Sequence, residues 1–144
     1  MRKIDLIVIH CTATPEGQHF TASDIDRWHK AKGWRSIGYH YVYLLDGTED
    51  KGRNISEVGA HTIGYNATSI GIVYVGGLDS NGKAKDTRTP EQEAAMITRI
   101  EQLLKEYPAA KVAGHYQFAN KACPCFDVNK WCREIGINEK NIYQ

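Results

Sequence analysis

The run Ile4-Asp5-Leu6-Ile7-Val8-Ile9 is almost unbroken in apolar residues and stops at His10-Cys11-Thr12-Ala13-Thr14-Pro15. A short stretch rich in Ile and Val, bounded by turn chemistry, reads as a central strand buried on both faces. Such a strand needs neighbouring strands beside it and helices over it. His10, at the polar end of the run, would stand at the sheet margin where open α/β sheets bind their ligands.

The rest of the chain supplies both kinds of element. Thr21, followed three residues on by Asp24, has the form of a capping box and predicts a helix over 21–32, with Ile25, Trp28 and His29 on one face and Gly33 ending it. Trp28 reads as a core anchor. Alternating aromatic and apolar residues predict a strand over 37–45, a hairpin at Asp46-Gly47 and a short return strand over 48–51. Strict alternation would put Tyr39, Tyr41 and Tyr43 on one face and His40 on the other.

A loop over 52–66 carries Arg53, His61 and Asn66, and loops of that length are often functional, so it reads as the rim of a groove. Residues 69–77 predict a second buried strand whose glycines admit close approach, and 78–85 a turn-rich excursion. Thr89-Pro90-Glu91-Gln92 opens the clearest helix, striped by Ala95, Met96, Ile100, Leu103 and Leu104 and ended by Tyr107-Pro108. A short strand over 111–114 and a helix from Asp127 to about Glu134, with Gly136 after it, complete the chain. The expected fold class is α/β, a central mixed β-sheet flanked by helices. With 144 residues and no repeats or linkers, one domain over 1–144 is expected.

A formal net charge of +1 gives no electrostatic reason to bind nucleic acid or an anionic membrane. No apolar stretch approaches membrane-spanning length. The segment after Met1-Arg2-Lys3 is too short for a signal peptide, so synthesis in the cytoplasm is expected. Of the four cysteines, Cys123, Cys125 and Cys132 are clustered and Cys11 is distant. Without a leader, free thiols or metal binding is a better reading than two disulfides.

The stretch Gly114 to Asp127 places His115, Lys121 and Cys123 in a loop between strand and helix, where side chains can converge. His115 and Cys123 are too far apart for one helical face and too irregular for a zinc finger, so their pairing needs a third ligand from elsewhere. His10 is the candidate. Two imidazoles and a thiolate would leave the fourth tetrahedral position of one Zn2+ per chain open to water, which marks a catalytic rather than a closed structural site. A zinc so held lowers the pKa of its water to about 7 and polarises a carbonyl, a combination suited to hydrolysing an amide or ester. There is no HExxH helix to supply a glutamate base. Proton handling falls to Tyr39, Lys121 or the water itself, and Tyr39 and Lys121 are also suitable donors to an oxyanion. His19, His29 and His40 read as structural or surface residues.

Taken together, Val8-Ile9-His10-Cys11-Thr12-Ala13-Thr14, Trp28-His29-Lys30 with Gly33-Trp34, Gly38-Tyr39-His40-Tyr41, Asp46-Gly47, Gly52-Arg53, Gly59-Ala60-His61, Gly64-Tyr65-Asn66, Ser69-Ile70-Gly71-Ile72, and His115 with Lys121-Ala122-Cys123-Pro124 form an ordered set. The set resembles the zinc-dependent N-acetylmuramoyl-L-alanine amidases, nearest to the phage lysozyme-type endolysins that share a fold with animal peptidoglycan recognition proteins. The resemblance spans nearly the whole chain. It implies His10, His115 and Cys123 as zinc ligands and Tyr39 and Lys121 as catalytic residues. It also implies peptidoglycan, glycan strand plus stem peptide, as substrate, cut between the lactyl group of N-acetylmuramic acid and L-alanine. His61, Arg53 and Asn66 would border the cleft. Cys125 stands where related endolysins commonly have serine, so its thiol is incidental or a weak competitor for metal.

A monomer is expected, reaching the wall with the help of a separate membrane-permeabilising protein. Other readings stay open: a non-catalytic peptidoglycan-binding module, which typically lacks the zinc cysteine; a regulatory partner of an intracellular protein such as a polymerase, as in one branch of the family; or a zinc hydrolase of another amide.

Overall fold

The structure, a computed structural model, describes residues 2–144; Met1 lies outside the described residues. In chain order its elements are β1 (Leu6–Cys11), β2 (Thr14–Pro15), α1 (Ala22–Ala31), β3 (Tyr41–Tyr43), β4 (Glu49–Lys51), β5 (Ser69–Tyr74), β6 (Gly77–Leu78), α2 (Pro90–Glu106), β7 (Lys111–Gly114) and α3 (Val128–Glu134). The main sheet has the order β4-β3-β5-β1-β7. Strands β3, β5, β1 and β7 are parallel and β4 is antiparallel to β3. This is the expected mixed α/β sheet, with the apolar run as an inner strand between β5 and β7.

The helices begin where their capping residues stand. Thr21 Oγ1 accepts from the Asp24 N–H at 3.3 Å while Asp24 accepts from the Thr21 N–H at 2.8 Å, and Thr89 and Gln92 make the same reciprocal pair at α2. Asp127 caps α3 by accepting from the Lys130 N–H at 3.0 Å. Each such cap satisfies N–H groups with no partner inside the helix, typically worth about 1 kcal/mol.

Alternation along the strands divides their side chains between two clusters. Ile7, Ile9, Ile70, Ile72, Tyr41, Tyr43 and Tyr74 pack on one side with Met96, Ile100 and Leu103 of α2 and Trp131 of α3. Val42, Val73 and Val75 pack on the other with Ala22 and Ile25 of α1. Trp28 is only partly buried and leans on Phe20 with ring centroids 4.9 Å apart, at the edge of this smaller cluster.

The structure corrects the expected strand geometry in three places. The first strand is Leu6–Cys11, so His10 is inside it. Parallel pairing with β5 continues through Cys11 and Tyr74, and the imidazole is tolerated there because it has hydrogen-bond partners. The strand expected over 37–45 is only Tyr41–Tyr43. Before it, the Ile37 and Gly38 N–H groups donate to Asp26 Oδ1 at 2.8 Å and to His29 Nδ1 at 2.9 Å, so side chains of α1 take the place of a ladder partner. The chain is bent there, and Tyr39 packs with the smaller cluster while Tyr41 and Tyr43 pack with the larger one. The strand expected over 69–77 ends at Tyr74, and Gly76 and Gly77, at φ 135° and 104°, turn the chain into β6, which pairs with β2.

Candidate metal centre and cleft

His10 lies on the smaller-cluster side of β1, and His115 follows the last residue of β7, whose Gly114 is in register with Ile9. Adjacent parallel strands therefore carry the two imidazoles side by side, ring centroids 4.5 Å apart. Cys123 returns to them along the loop after β7: the Tyr116 N–H donates to the Cys123 carbonyl at 2.9 Å, and the Cys11 N–H donates to the Cys123 sulfur at 3.2 Å. One ligand atom from each of His10, His115 and Cys123 lies within 4.8 Å of the others. Residues far apart in sequence are brought to one point.

This donor set suits zinc. Tetrahedral bond lengths place a nitrogen and a sulfur ligand about 3.6 Å apart, and His10 Nδ1 is 3.9 Å from Cys123 Sγ. The other nitrogen of His10, Nε2, is 2.9 Å from His61 Nδ1, and His61 Nε2 is 3.2 Å from Ser69 Oγ. Thr62 Oγ1 lies 2.9 Å from the same His61 Nδ1. A buried file of polar groups thus backs His10, the kind of support that orients a metal-ligating imidazole. Gly71 makes room for it, since a Cβ there would come within 2.6 Å of His61 Cδ2.

The electrostatics follow from burial and crowding. Desolvation drives His10 well below its ordinary pKa, with His61, His115 and Lys121 adding to the effect. His61 falls to about 3, chiefly by desolvation, and His115 is lowered by desolvation and by Lys121. These imidazoles are neutral at neutral pH, the form in which nitrogen binds a metal. Hydrogen bonding from Cys11 holds Cys123 below its ordinary thiol value. Desolvation raises the Tyr39 phenol, with Cys123 and Cys11 contributing, so it keeps its proton as a donor.

A cleft of about 680 Å³ opens beside the cluster. Tyr39, Lys121, His61 and Asn66 line it with His115, and the Tyr39 ring is 5.1 Å from the His10 ring. Asn66 Oδ1 accepts from the His61 and Thr62 N–H groups, both at 2.9 Å, which fixes the turn carrying them. Arg53 is not among the lining residues. Its guanidinium donates to the carbonyls of Ile37 at 2.8 Å and Val58 at 2.7 Å, fastening the loop from behind.

Three features escaped sequence reasoning. His29, read as structural, accepts from Gly38 N–H and also lines the cleft with Trp34. Ser69 and Thr62 stand behind His61, and nothing in local sequence marks such partners; Gly71 inside a strand is the one available hint. Cys125 Sγ lies 3.8 Å from Cys11 Sγ and lines a separate depression.

The family profile described as N-acetylmuramoyl-L-alanine amidase matches residues 1–126. The endolysin of Escherichia phage T7 is 41% identical over 127 residues, covering 88% of this chain and 84% of that protein. Among solved structures, the N-acetylmuramoyl-L-alanine amidase LysC from Clostridium intestinale URNW superposes with a TM-score of 0.81 at 27% identity, over 95% of this chain and 88% of the other. The ectodomain complex of peptidoglycan recognition proteins LCa and LCx, bound to tracheal cytotoxin, superposes with a TM-score of 0.76 at 26% identity, over 93% and 83% respectively.

Proposed function

The chain belongs to the N-acetylmuramoyl-L-alanine amidase family, and from that premise we propose that His10, His115 and Cys123 hold one zinc ion while Tyr39 and Lys121 carry out the proton and charge handling beside it. The reaction is hydrolysis of the amide between the lactyl group of N-acetylmuramic acid and L-alanine in peptidoglycan. The observation that carries the site assignment is the convergence of three ligand atoms within 4.8 Å next to the cleft.

Zinc, when bound, supplies Lewis acidity and an acidified water. With Nδ1 of His10 committed to the ion, its remaining proton sits on Nε2 and is donated to His61 Nδ1. His61 then donates from Nε2 to Ser69 Oγ. Lys121 presents an ammonium and Tyr39 a protonated phenol on the cleft wall, two donors for the charge that develops on the lactyl carbonyl oxygen. Each such donor is worth roughly 3 to 4 kcal/mol in the transition state. Lys121 or Tyr39 would also pass a proton to the departing L-alanine nitrogen and be restored by the proton that the attacking water loses, so the net transfer is from water to the amine. His61 and Asn66 border the substrate, and Arg53 supports that border through the backbone.

In this reading residues 1–144 act as one amidase domain and as a monomer on glycan strand plus stem peptide. Ile142, beyond the family match, bridges to Val112 of β7 and is fully buried, which supports including the C-terminal segment. No helix among the described residues is long and apolar enough to cross a membrane. The place of action is the cell wall, entered with a separate membrane-permeabilising protein. A non-catalytic binding module would have no need of Cys123.

Digestion of purified cell wall tests the reading. The expected products are new L-alanine amino termini with no new reducing sugars, together with about one zinc per chain by metal analysis. Reducing ends without amino termini would mean a glycosidase, and intact wall would mean a binding module.

A further inference from the structure

The cleft does not end at the metal cluster. Its wall continues into a row of three rings in tilted contact, Tyr65, Phe118 and Tyr143, with centroid separations of 4.4 and 4.9 Å and interplanar angles of 46° and 51°. Phe118 faces the cleft, whereas Tyr65 and Tyr143 line a second depression of about 490 Å³ that also contains Asp5, Thr68 and Lys111. The row is a ridge between two hollows. Ile63, 95% exposed, stands on the cleft side of it, and Tyr65 is 39% exposed. Apolar side chains clustered at the surface beside a site are a mark of binding.

The ridge is built on the turns that build the metal site. Phe118 closes a single 3-10 turn over His115–Gln117, its N–H donating to the His115 carbonyl at 3.0 Å. Tyr65 closes the turn that starts at Thr62, its N–H donating to the Thr62 carbonyl at 3.0 Å. The Tyr143 carbonyl accepts from Gln117 at 3.3 Å and from Asn129 at 3.0 Å. The rings are therefore held at a set distance and orientation from the reacting centre.

We propose that this ridge is a saccharide platform: the glycan strand runs from the cleft over Phe118 and Tyr65 and continues into the depression beyond. The proposal rests on the amidase reading and deepens it. A pyranose has an apolar C–H face that lies on an aromatic ring and a polar rim that seeks hydrogen bonds. The ridge offers the rings, and Asp5, Thr68 and Lys111 offer the polar partners. The substrate is a polymer, so sugars next to the reacting muramyl unit must lie somewhere on the surface continuous with the cleft. A peptide would find few hydrogen-bond partners on the ridge itself, because the Tyr65 N–H and the Tyr143 carbonyl are already engaged.

The test compares wild type, Tyr65→Ala and Tyr65→Phe on three substrates: a single N-acetylmuramoyl peptide, the same stem on a longer glycan, and a longer stem on the single sugar. Release of L-alanine amino termini is measured. Tyr65→Ala should lose about ten-fold in kcat/KM on the longer glycan, mainly through KM. It should stay within about two-fold of wild type on both single-sugar substrates. Tyr65→Phe should behave as wild type, because the ring face rather than the hydroxyl makes the contact. Equal losses on all substrates, no loss on any, or a loss that follows stem length would overturn the platform. Wild-type protein inactive on every substrate would instead overturn the amidase reading, and the platform with it.

Discussion

The two faces of the central sheet are made by the same strands and could hardly differ more. On one face, Ile7, Ile9, Ile70, Ile72 and Tyr74 are closed over by α2 and α3 into a dense apolar layer. On the other, the alternate residues of β1 and β5 include His10, Ser69 and Gly71, and His61 is folded in against them. Each residue of the first face gains from leaving water, about 1.5–3 kcal/mol for a large aliphatic side chain. Each polar residue of the second is costly to bury unless partnered, and here the partners are one another. The first face holds the protein together; the second uses that rigidity to hold His10, His115 and Cys123 at one point beside an open cleft.

The largest break in that comparison should come from Cys123→Ala. We expect loss of bound zinc and of all measurable amide cleavage, while the thermal unfolding transition stays cooperative. Metal analysis and L-alanine release on one sample check this. Tyr39→Phe and Lys121→Ala should keep zinc at wild-type stoichiometry but lose roughly 10²- to 10³-fold in kcat; full-rate turnover in either would remove that residue from the mechanism.

The apolar face should respond in the opposite way. Ile100, fully buried on α2, should lose about 2–5 kcal/mol of folding stability as Ile100→Ala, seen as a lower urea midpoint. Its turnover per folded molecule should not change. Gly71→Ala probes the boundary between the faces, since its new Cβ would displace the His61 ring. Roughly ten-fold weaker zinc binding is expected there, because support behind a metal ligand is disturbed; competition with a chelator measures it.

The smallest effect concerns pH. Glu49 receives two hydrogen bonds from Arg99, at 2.6 and 2.8 Å, which hold its carboxyl below the ordinary value. A depressed folded pKa contributes stability that is present above the unfolded pKa, near 4.5, and is lost as pH falls through the lower folded value. With both side chains about a quarter exposed, about 1 kcal/mol is expected. Urea midpoints at neutral and acidic pH should converge in Glu49→Gln relative to wild type.

The elements of the apolar face were legible along the chain because their signals are local. Thr89-Pro90-Glu91-Gln92 starts α2 where it is written, and Asp127 starts α3. The bend before β3 was not legible, because Asp26 and His29 of another element take the hydrogen bonds of Ile37 and Gly38. That one exchange moves Tyr39 from the face of Tyr41 to the face of His10. Arg53 illustrates the same point: a basic residue in a rim loop suggested substrate contact, and three-dimensional packing turned it onto backbone carbonyls.

Sequence alone determined the main helices and strands and their order, because periodicity and caps are properties of neighbouring residues, and the order of its motifs singled out His10, His115 and Cys123 as the side chains that meet. Only the tertiary structure decided which side of the sheet Tyr39 joins, that His61 and Ser69 stand behind His10, and that the rings of Tyr65, Phe118 and Tyr143 continue the cleft. Those facts depend on hydrogen bonds and contacts between residues tens of positions apart, and no local pattern encodes the distance across which they meet.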